Sequence, residues 1–232
     1  MATTVILSPH LDDAVFSCWH LVTQPGTCVI TVFSGVPAKG TTTVWDRLCG
    51  EADSVTMMRT RILENEGILK AVGATCYNLP FMDRQYPSSR HDASDIAKAV
   101  LTHVGADAVF FVPLAEGTLW RHPDHVLVRE VGISLFHKGR DVSFYADVPY
   151  MSMPRKIRGR YKKHIARRAS NSVGTAVSVD VYELPPDERI RKREAMRQYK
   201  SQYSMTNIAS LGMLGRKANT TWEVVCTPTG HR

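Results

Sequence analysis

The 232-residue chain contains no uninterrupted apolar run of the roughly 18 residues that a membrane-spanning helix needs, which excludes a helical membrane span. Its N-terminus, Met1-Ala2-Thr3-Thr4, lacks a basic region followed by an apolar stretch, so a secretory signal is not expected. Cysteine is sparse: Cys18, Cys28, Cys49, Cys76 and Cys226 are scattered, odd in number and free of any Cys-x-x-Cys pair. That spacing excludes a disulfide framework and a structural thiolate zinc site, and a reducing cytoplasm is the expected location. No internal repeat, low-complexity tract or glycine-rich nucleotide fingerprint occurs.

The composition is that of a soluble globular protein, with 44% hydrophobic and 22% charged residues. A net charge of +7 is concentrated in one place. Arg155, Lys156, Arg158, Arg160, Lys162, Lys163, Arg167 and Arg168 form a run without an acid, and removing these eight leaves 21 bases against 22 acids. With few apolar anchors and much like charge, 155–175 is expected to be a mobile loop.

Apolar runs at Thr4–Ser8, Thr27–Phe33, Thr75–Leu79, Asp107–Pro113 and Val142–Ala146 predict strands. Helical spacing predicts helices over Asp13–Val22, Thr56–Val72 (closed by Gly73), Ser94–Val104 and Pro123–Phe136. Residues 36–54, with Pro, Gly, three successive Thr, Trp45 and Asp46, are expected to form a loop or short helices over the strand ends. The alternation predicts an α/β fold: a Rossmann-like, mostly parallel sheet with helices on both faces. A single domain over 1–232 is expected, with an α/β core at 1–150, the basic segment, and a C-terminal part at 176–232. That last part carries strand candidates at Ala176–Tyr182 and Thr221–Thr227 around a charged helix from Pro186 to about Tyr203.

Open α/β sheets carry their chemistry beyond the C-terminal ends of the strands. Two polar clusters fall there: His10-Leu11-Asp12-Asp13 after the first strand, and His122-Pro123-Asp124-His125 after Asp107–Pro113. Imidazole with carboxylate suits Zn²⁺, and three protein ligands with one open position is the catalytic arrangement. Residues three apart share one side of a turn, so His10 and Asp13 can converge on one ion while Asp12 stays free for proton transfer. Pro123 suits the first position of a helix. That places His125 one turn in, where it can complete the triad, with His122 beside the open position. The structural alternative for Asp12 or Asp13 is a helix N-cap. Fe²⁺ fits His/Asp ligation as well as Zn²⁺ does.

Ser8-Pro9-His10-Leu11-Asp12-Asp13 and His122-Pro123-Asp124-His125 resemble the two signature motifs of the LmbE-like (PIG-L type) family. Its best known members are zinc-dependent N-deacetylases of N-acetylglucosamine conjugates, among them the glycosylphosphatidylinositol-precursor and mycothiol-precursor deacetylases. Arg61-x-x-Glu64 followed by Ala71-Val72-Gly73, Asp83 within Leu79–Asp83, and Lys192–Gln202 with Tyr199 and Ser201-Gln202 are similar to further family features. The resemblance covers 3–150 well and the remainder weakly. It implies His10, Asp13 and His125 as zinc ligands, Asp12 as general base, and His122 as oxyanion stabiliser or acid. Leu11 stands where the family usually has Pro, and Ala14 where it often has Glu, which marks a divergent branch.

These residues would support attack of zinc-activated water on an amide carbonyl. Arg59, Arg61 and Asp83 are weaker candidates for substrate contacts, against a solvated helix face for the arginines and a turn for Asp83. The expected partner is a small-molecule N-acylated amino-sugar conjugate, anionic if the basic segment serves as a lid that recruits it; a homo-oligomer stays open. Two other classes compete. One is a zinc hydrolase of another amide or an ester. The other is a non-catalytic nucleotide- or nucleic-acid-binding module; it is disfavoured by the missing glycine fingerprint and by Tyr161 being the only aromatic in the basic run, so no nucleic acid is expected.

Overall fold

A computed structural model describes residues 2–87, 90–116, 121–148, 150–151, 159–202 and 220–230. Five strands form a parallel array: β1 (Thr4–Ser8), β2 (Cys28–Thr31), β3 (Thr75–Asn78), β4 (Val109–Pro113) and β5 (Asp141–Tyr145). Two further strands, β6 (Val177–Glu183) and β7 (Trp222–Pro228), close one edge, with β7 antiparallel to both β5 and β6. The order is β3-β2-β1-β4-β5-β7-β6, so the α/β expectation holds, with the C-terminal strands added antiparallel.

The order makes β1 the switch point. The chain winds one way through β2 and β3, then returns to place β4 on the other flank of β1. Parallel sheets open a crevice at that point, beyond the C-terminal ends of the two central strands. Ser8 and Pro113 are those ends, and the two histidine clusters follow them.

Alternation along β1 builds both halves of the core. Val5 and Leu7 point into one buried layer, and Ile6 into the other. The first layer is roofed by α5 (Ala93–Leu101) and α6 (Pro123–His137), the second by α1 (Asp13–Ser17), α2 (Trp19–Val22), α4 (Ser54–Ala71) and α8 (Pro186–Gln198). At Gly132 of α6 a Cβ would collide with the side chain of Val112 on β4, so glycine sets how closely α6 lies on the sheet. This packing fixes the height of His125 above β4.

Two expectations need correction. The stretch Asp13–Val22 is two short helices broken at Cys18. The carboxylate of Glu223 on β7 accepts the backbone N–H groups of Trp19 (2.8 Å) and His20 (2.9 Å), taking donors that a continuous helix would use internally. The second correction concerns the basic segment. Residues 155–158 lie outside the described residues, but Gly159–Val173 forms a regular helix, α7, rather than a mobile loop. Ile165, Ala169 and Val173, spaced at four, make a narrow buried stripe on it, and Arg168 and Ser172 tie it to the buried Glu116. In the charged C-terminal helix, α8 ends at Gln198, before Tyr199. Residues 36–54 contain one short helix, α3 (Val44–Leu48), capped by Thr43. Among the described residues no helix is long and apolar enough to cross a membrane.

Candidate metal centre

The loop after β1 is shaped by Ser8, whose hydroxyl donates to the carbonyl of His10 (2.6 Å) and accepts the N–H of Ala14 (3.0 Å). The serine thereby does the local capping. Asp12 sits at the N-cap of α1 with no side-chain cap bond, and Asp13 turns inward, its Oδ2 accepting the N–H of His10 at 2.8 Å. The capping alternative for these two acids is therefore not realised.

At the end of β4 the chain enters α6 as expected, with His122 as N-cap and Pro123 first in the helix. His122 Nδ1 accepts the N–H of Asp124 at 3.2 Å. One turn in, His125 is fully inside the protein, its Nδ1 2.6 Å from Oδ1 of Asp147. The other oxygen of Asp147 accepts the N–H of Ala115 at 2.7 Å.

His10, Asp13 and His125 converge, and their ligand atoms are close enough to hold a metal ion. Asp13 Oδ2 lies 3.2 Å from His10 Nδ1 and 3.1 Å from His125 Nε2. A tetrahedral set with bonds of about 2.0–2.1 Å has ligand-to-ligand edges of about 3.3 Å, so these spacings fit a zinc-type site. A buried polar atom points the same way. His125 Nε2 is enclosed and has no hydrogen-bond partner. With Nδ1 held by Asp147, Nε2 faces the Asp13 carboxylate, a position that a proton or a metal ion between the two would fill.

The site has a second layer. His10 Nε2 is 3.2 Å from Oδ2 of the buried Asp124, which also accepts the N–H of Arg84 at 3.2 Å. His10, His122 and Asp124 form a second, overlapping cluster. Tyr150 sets its ring edge-on to His125, with centroids 4.8 Å apart.

Charge is distributed unevenly. Burial, followed by the negative charge of Asp13, pushes the Asp12 carboxyl up to about 7. Asp13 itself is held far below the usual carboxylate range: burial opposes this, but His125 and His10 outweigh it. Burial pushes His122 down to about 3, helped by the neighbouring imidazoles, so its ring is neutral. For His125 burial disfavours the cation, yet Asp13 and Asp147 carry it up to about 9. His10 is likewise raised, by Asp124 and Asp13 against burial. Two imidazoles that attract positive charge around one carboxylate have the electrostatics of a cation site.

The remaining sequence candidates separate. Asp83 borders the site, its Oδ2 4.0 Å from His10 Nε2, while its other oxygen accepts the N–H of Gln85 at 3.0 Å. Arg59 is exposed on α4. Arg61 is buried, 3.3 Å from Asp46, whose other oxygen accepts from Ser54 at 2.6 Å and Tyr86 at 3.3 Å. It braces α3 against α4 and is neither solvated nor free. The late motif also braces: Lys192 pairs with Glu223, Tyr199 donates to Asn65 (2.9 Å), and Ser201 donates to Glu64. Sequence reasoning missed the roles of Asp124 and Asp147. Asp124 lay inside a quoted motif, and Asp147 follows β5 by two residues, a carboxylate at a third strand end.

Fold and centre together define an α/β protein whose His10, Asp13 and His125 lie close enough to hold a metal ion at the switch point of a mostly parallel sheet. The chain belongs to the PIG-L, or GlcNAc-PI de-N-acetylase, family, whose model matches residues 5–136. It is 25% identical over 253 residues to 2'-N-acetylparomamine deacetylase of Niallia circulans, covering 93% of this chain and 84% of that protein. Its fold is similar to that of the A40926 pseudoaglycone deacetylase, with a TM-score of 0.74, 20% identity, and coverage of 97% and 96% of the two chains. A zinc-inhibited form of a teicoplanin deacetylase superposes with a TM-score of 0.70, at 20% identity over the full length of both chains.

Proposed function

We propose that this protein is a zinc-dependent N-deacetylase that removes an acetyl group from an amino-sugar conjugate. The observation that carries this reading is the enclosed His125 Nε2, without a hydrogen-bond partner and 3.1 Å from Asp13 Oδ2. Family membership and the deacetylase names of its relatives support the reaction class. His10, Asp13 and His125 would hold the ion, with Asp12 next to Asp13 in the chain and the His122 ring against that of His10.

When bound, zinc would bring the pKa of a coordinated water toward about 7 and polarise the acyl carbonyl. Asp12 takes up the water's proton, a role suited to a buried carboxyl pushed up to about 7. His122 is neutral, and because its Nδ1 accepts the N–H of Asp124, its Nε2 carries the hydrogen. That Nε2–H donates to the acyl oxygen as negative charge develops, and such a donor is worth roughly 3–4 kcal/mol. A hydrogen-donating imidazole replaces the imidazolium alternative here. Asp12, protonated after the attack, is then the acid that returns the proton to the leaving amine. Asp124 and Asp147 orient His10 and His125 through their second nitrogens.

The test is acetate release from N-acetylglucosamine conjugates by zinc-loaded protein, run beside other acylated amines and simple esters. Release confined to the acetamido sugars, abolished by a chelator and restored by zinc, is the expected result. Turnover of the other amides or esters alone would overturn the substrate assignment.

A further inference from the structure

One buried carboxylate near the second histidine motif has no part in the chemistry proposed above. Glu116 follows β4 by three residues and is 1% exposed. Arg168 of α7 donates to its Oε2 through Nε at 3.0 Å and Nη2 at 2.7 Å, and the Ser172 hydroxyl donates to Oε1 at 2.5 Å. Two more guanidinium groups come from the entry to α6 and from α6 itself: Arg121 lies 2.8 Å from Oε1, and Arg129 3.6 Å from it. Burial works against the charge, but Ser172, Arg168 and Arg121 hold the carboxyl below its usual range.

Arg121 and Arg129 bracket the two histidines of the motif. Arg121 directly precedes His122, the N-cap of α6, and Arg129 is one turn beyond His125. One carboxylate thus grips both ends of the stretch that carries His122 and His125. The grip on Arg129 is electrostatic: its Nη1 is buried and, among the described residues, finds no hydrogen-bond partner, while Nη2 donates to Glu130 at 3.0 Å. The backbone just before Glu116 leads to the same place. Ala115 is buried with φ at 55°, a left-handed conformation that a residue other than glycine keeps only where its surroundings impose it. Its N–H is donated to Asp147, the partner of His125.

We propose that Glu116 is a positioning residue for the deacetylation, acting through Arg121 and Arg129 to hold the entry of α6 so that His122 meets the acyl group in one orientation. This deepens the deacetylase reading and rests on it. Arg168 and Ser172 keep the carboxylate in place, so α7 backs the loop that carries His122. Guanidinium and carboxylate suit such a brace, because their charge-assisted bonds are strong and directional. Small displacements of His122 are costly, since a donor aimed at developing charge works only at hydrogen-bond distance.

The test uses zinc-loaded Arg121→Gln and Glu116→Gln. It measures kcat and KM for acetate release from an N-acetylglucosaminide. Independently of turnover, it follows the ring signals of His122 and His125 in long-range proton–nitrogen NMR spectra of the metal-free protein. Arg121 is 54% exposed at its side chain, so its loss spares the fold. Each variant should keep its zinc and lose about tenfold in kcat, with KM changed less than about twofold, and the His122 signals should move. The double variant should be no slower than Glu116→Gln alone, because both changes cut the same link. Lys98→Gln, which removes an exposed cation of α5, should leave rates and signals as in the wild type. Wild-type kcat with unmoved His122 signals in folded Arg121→Gln and Glu116→Gln, even at lower stability, would overturn the proposal and leave Glu116 an architectural tie. Should Glu116→Gln not fold, Arg121→Gln decides alone. If the wild type releases acetate from no acetamido sugar, the deacetylase reading fails, and the NMR signals still decide whether Glu116 holds His122.

Discussion

Two groups of buried charge in this protein differ in what they bring together: one centres on Glu223 of β7, the other on Asp13 of α1. The Glu223 carboxylate is fully engaged: its oxygens take the N–H groups of Trp19 and His20, the His20 ring at 2.5 Å and the Lys192 ammonium at 2.5 Å, while the far nitrogen of His20, Nε2, is buried without a hydrogen-bond partner. Against the penalty of burial, Lys192 and His20 keep its carboxyl below the usual range. Around Asp13, His125 Nε2 has no hydrogen-bond partner, and the Asp12 carboxyl is pushed up to about 7 by burial and by Asp13. One group ties strands to helices; the other gathers two imidazoles and a second acid around one carboxylate, an arrangement suited to an ion and a proton.

The contrast can be broken first at Asp12. Asp12→Asn should retain zinc and lose about 10²- to 10⁴-fold in kcat, the span typical of a general base, as read by acetate release. Full turnover would remove Asp12 from the chemistry. The pH profile sharpens the point. Turnover needs the carboxylate, so kcat/KM should rise with pH along a limb at or below about 7, because a bound cation lowers the value that burial gives this acid. The linked stability has the opposite sign: the extra proton affinity of folded Asp12 favours the native state at acidic pH, and that contribution is lost as pH rises through about 7.

Glu223→Gln tests the other region. It leaves the Lys192 ammonium buried without a counter-charge, which costs about 3–5 kcal/mol of stability in denaturant unfolding. The folded fraction should still bind zinc, because the pair only joins β7 to α2 and α8. Loss of metal without loss of stability would erase the distinction between the regions. A smaller effect is expected for Asp147→Asn, about 10- to 100-fold weaker zinc binding by competition with a chelator, since Asp147 touches His125 and not the ion's position.

What the sequence disclosed follows from how local each feature is. The five parallel strands were legible because Val5-Ile6-Leu7 and Val109–Val112 are continuous apolar runs. His10, Asp13 and His125 were legible as candidates because the first two lie just past β1 and the third one turn into the helix that follows β4, each in a short motif. The break at Cys18 was not, since its cause, Glu223, lies about two hundred residues away in the chain. Helix α7 was hidden because its buried stripe is only Ile165, Ala169 and Val173, diluted by cations. Arg61 looked like a solvated helix residue because its partner Asp46 arrives on a separate short helix. Asp147 could be recognised only once β5 was known to lie beside β4.

The most direct test of the central claim is zinc content by elemental analysis of the purified wild type and of His125→Ala, with folding verified by circular dichroism. The account predicts about one zinc per wild-type chain and a near-total loss in the folded variant. Stoichiometric zinc in folded His125→Ala would contradict it.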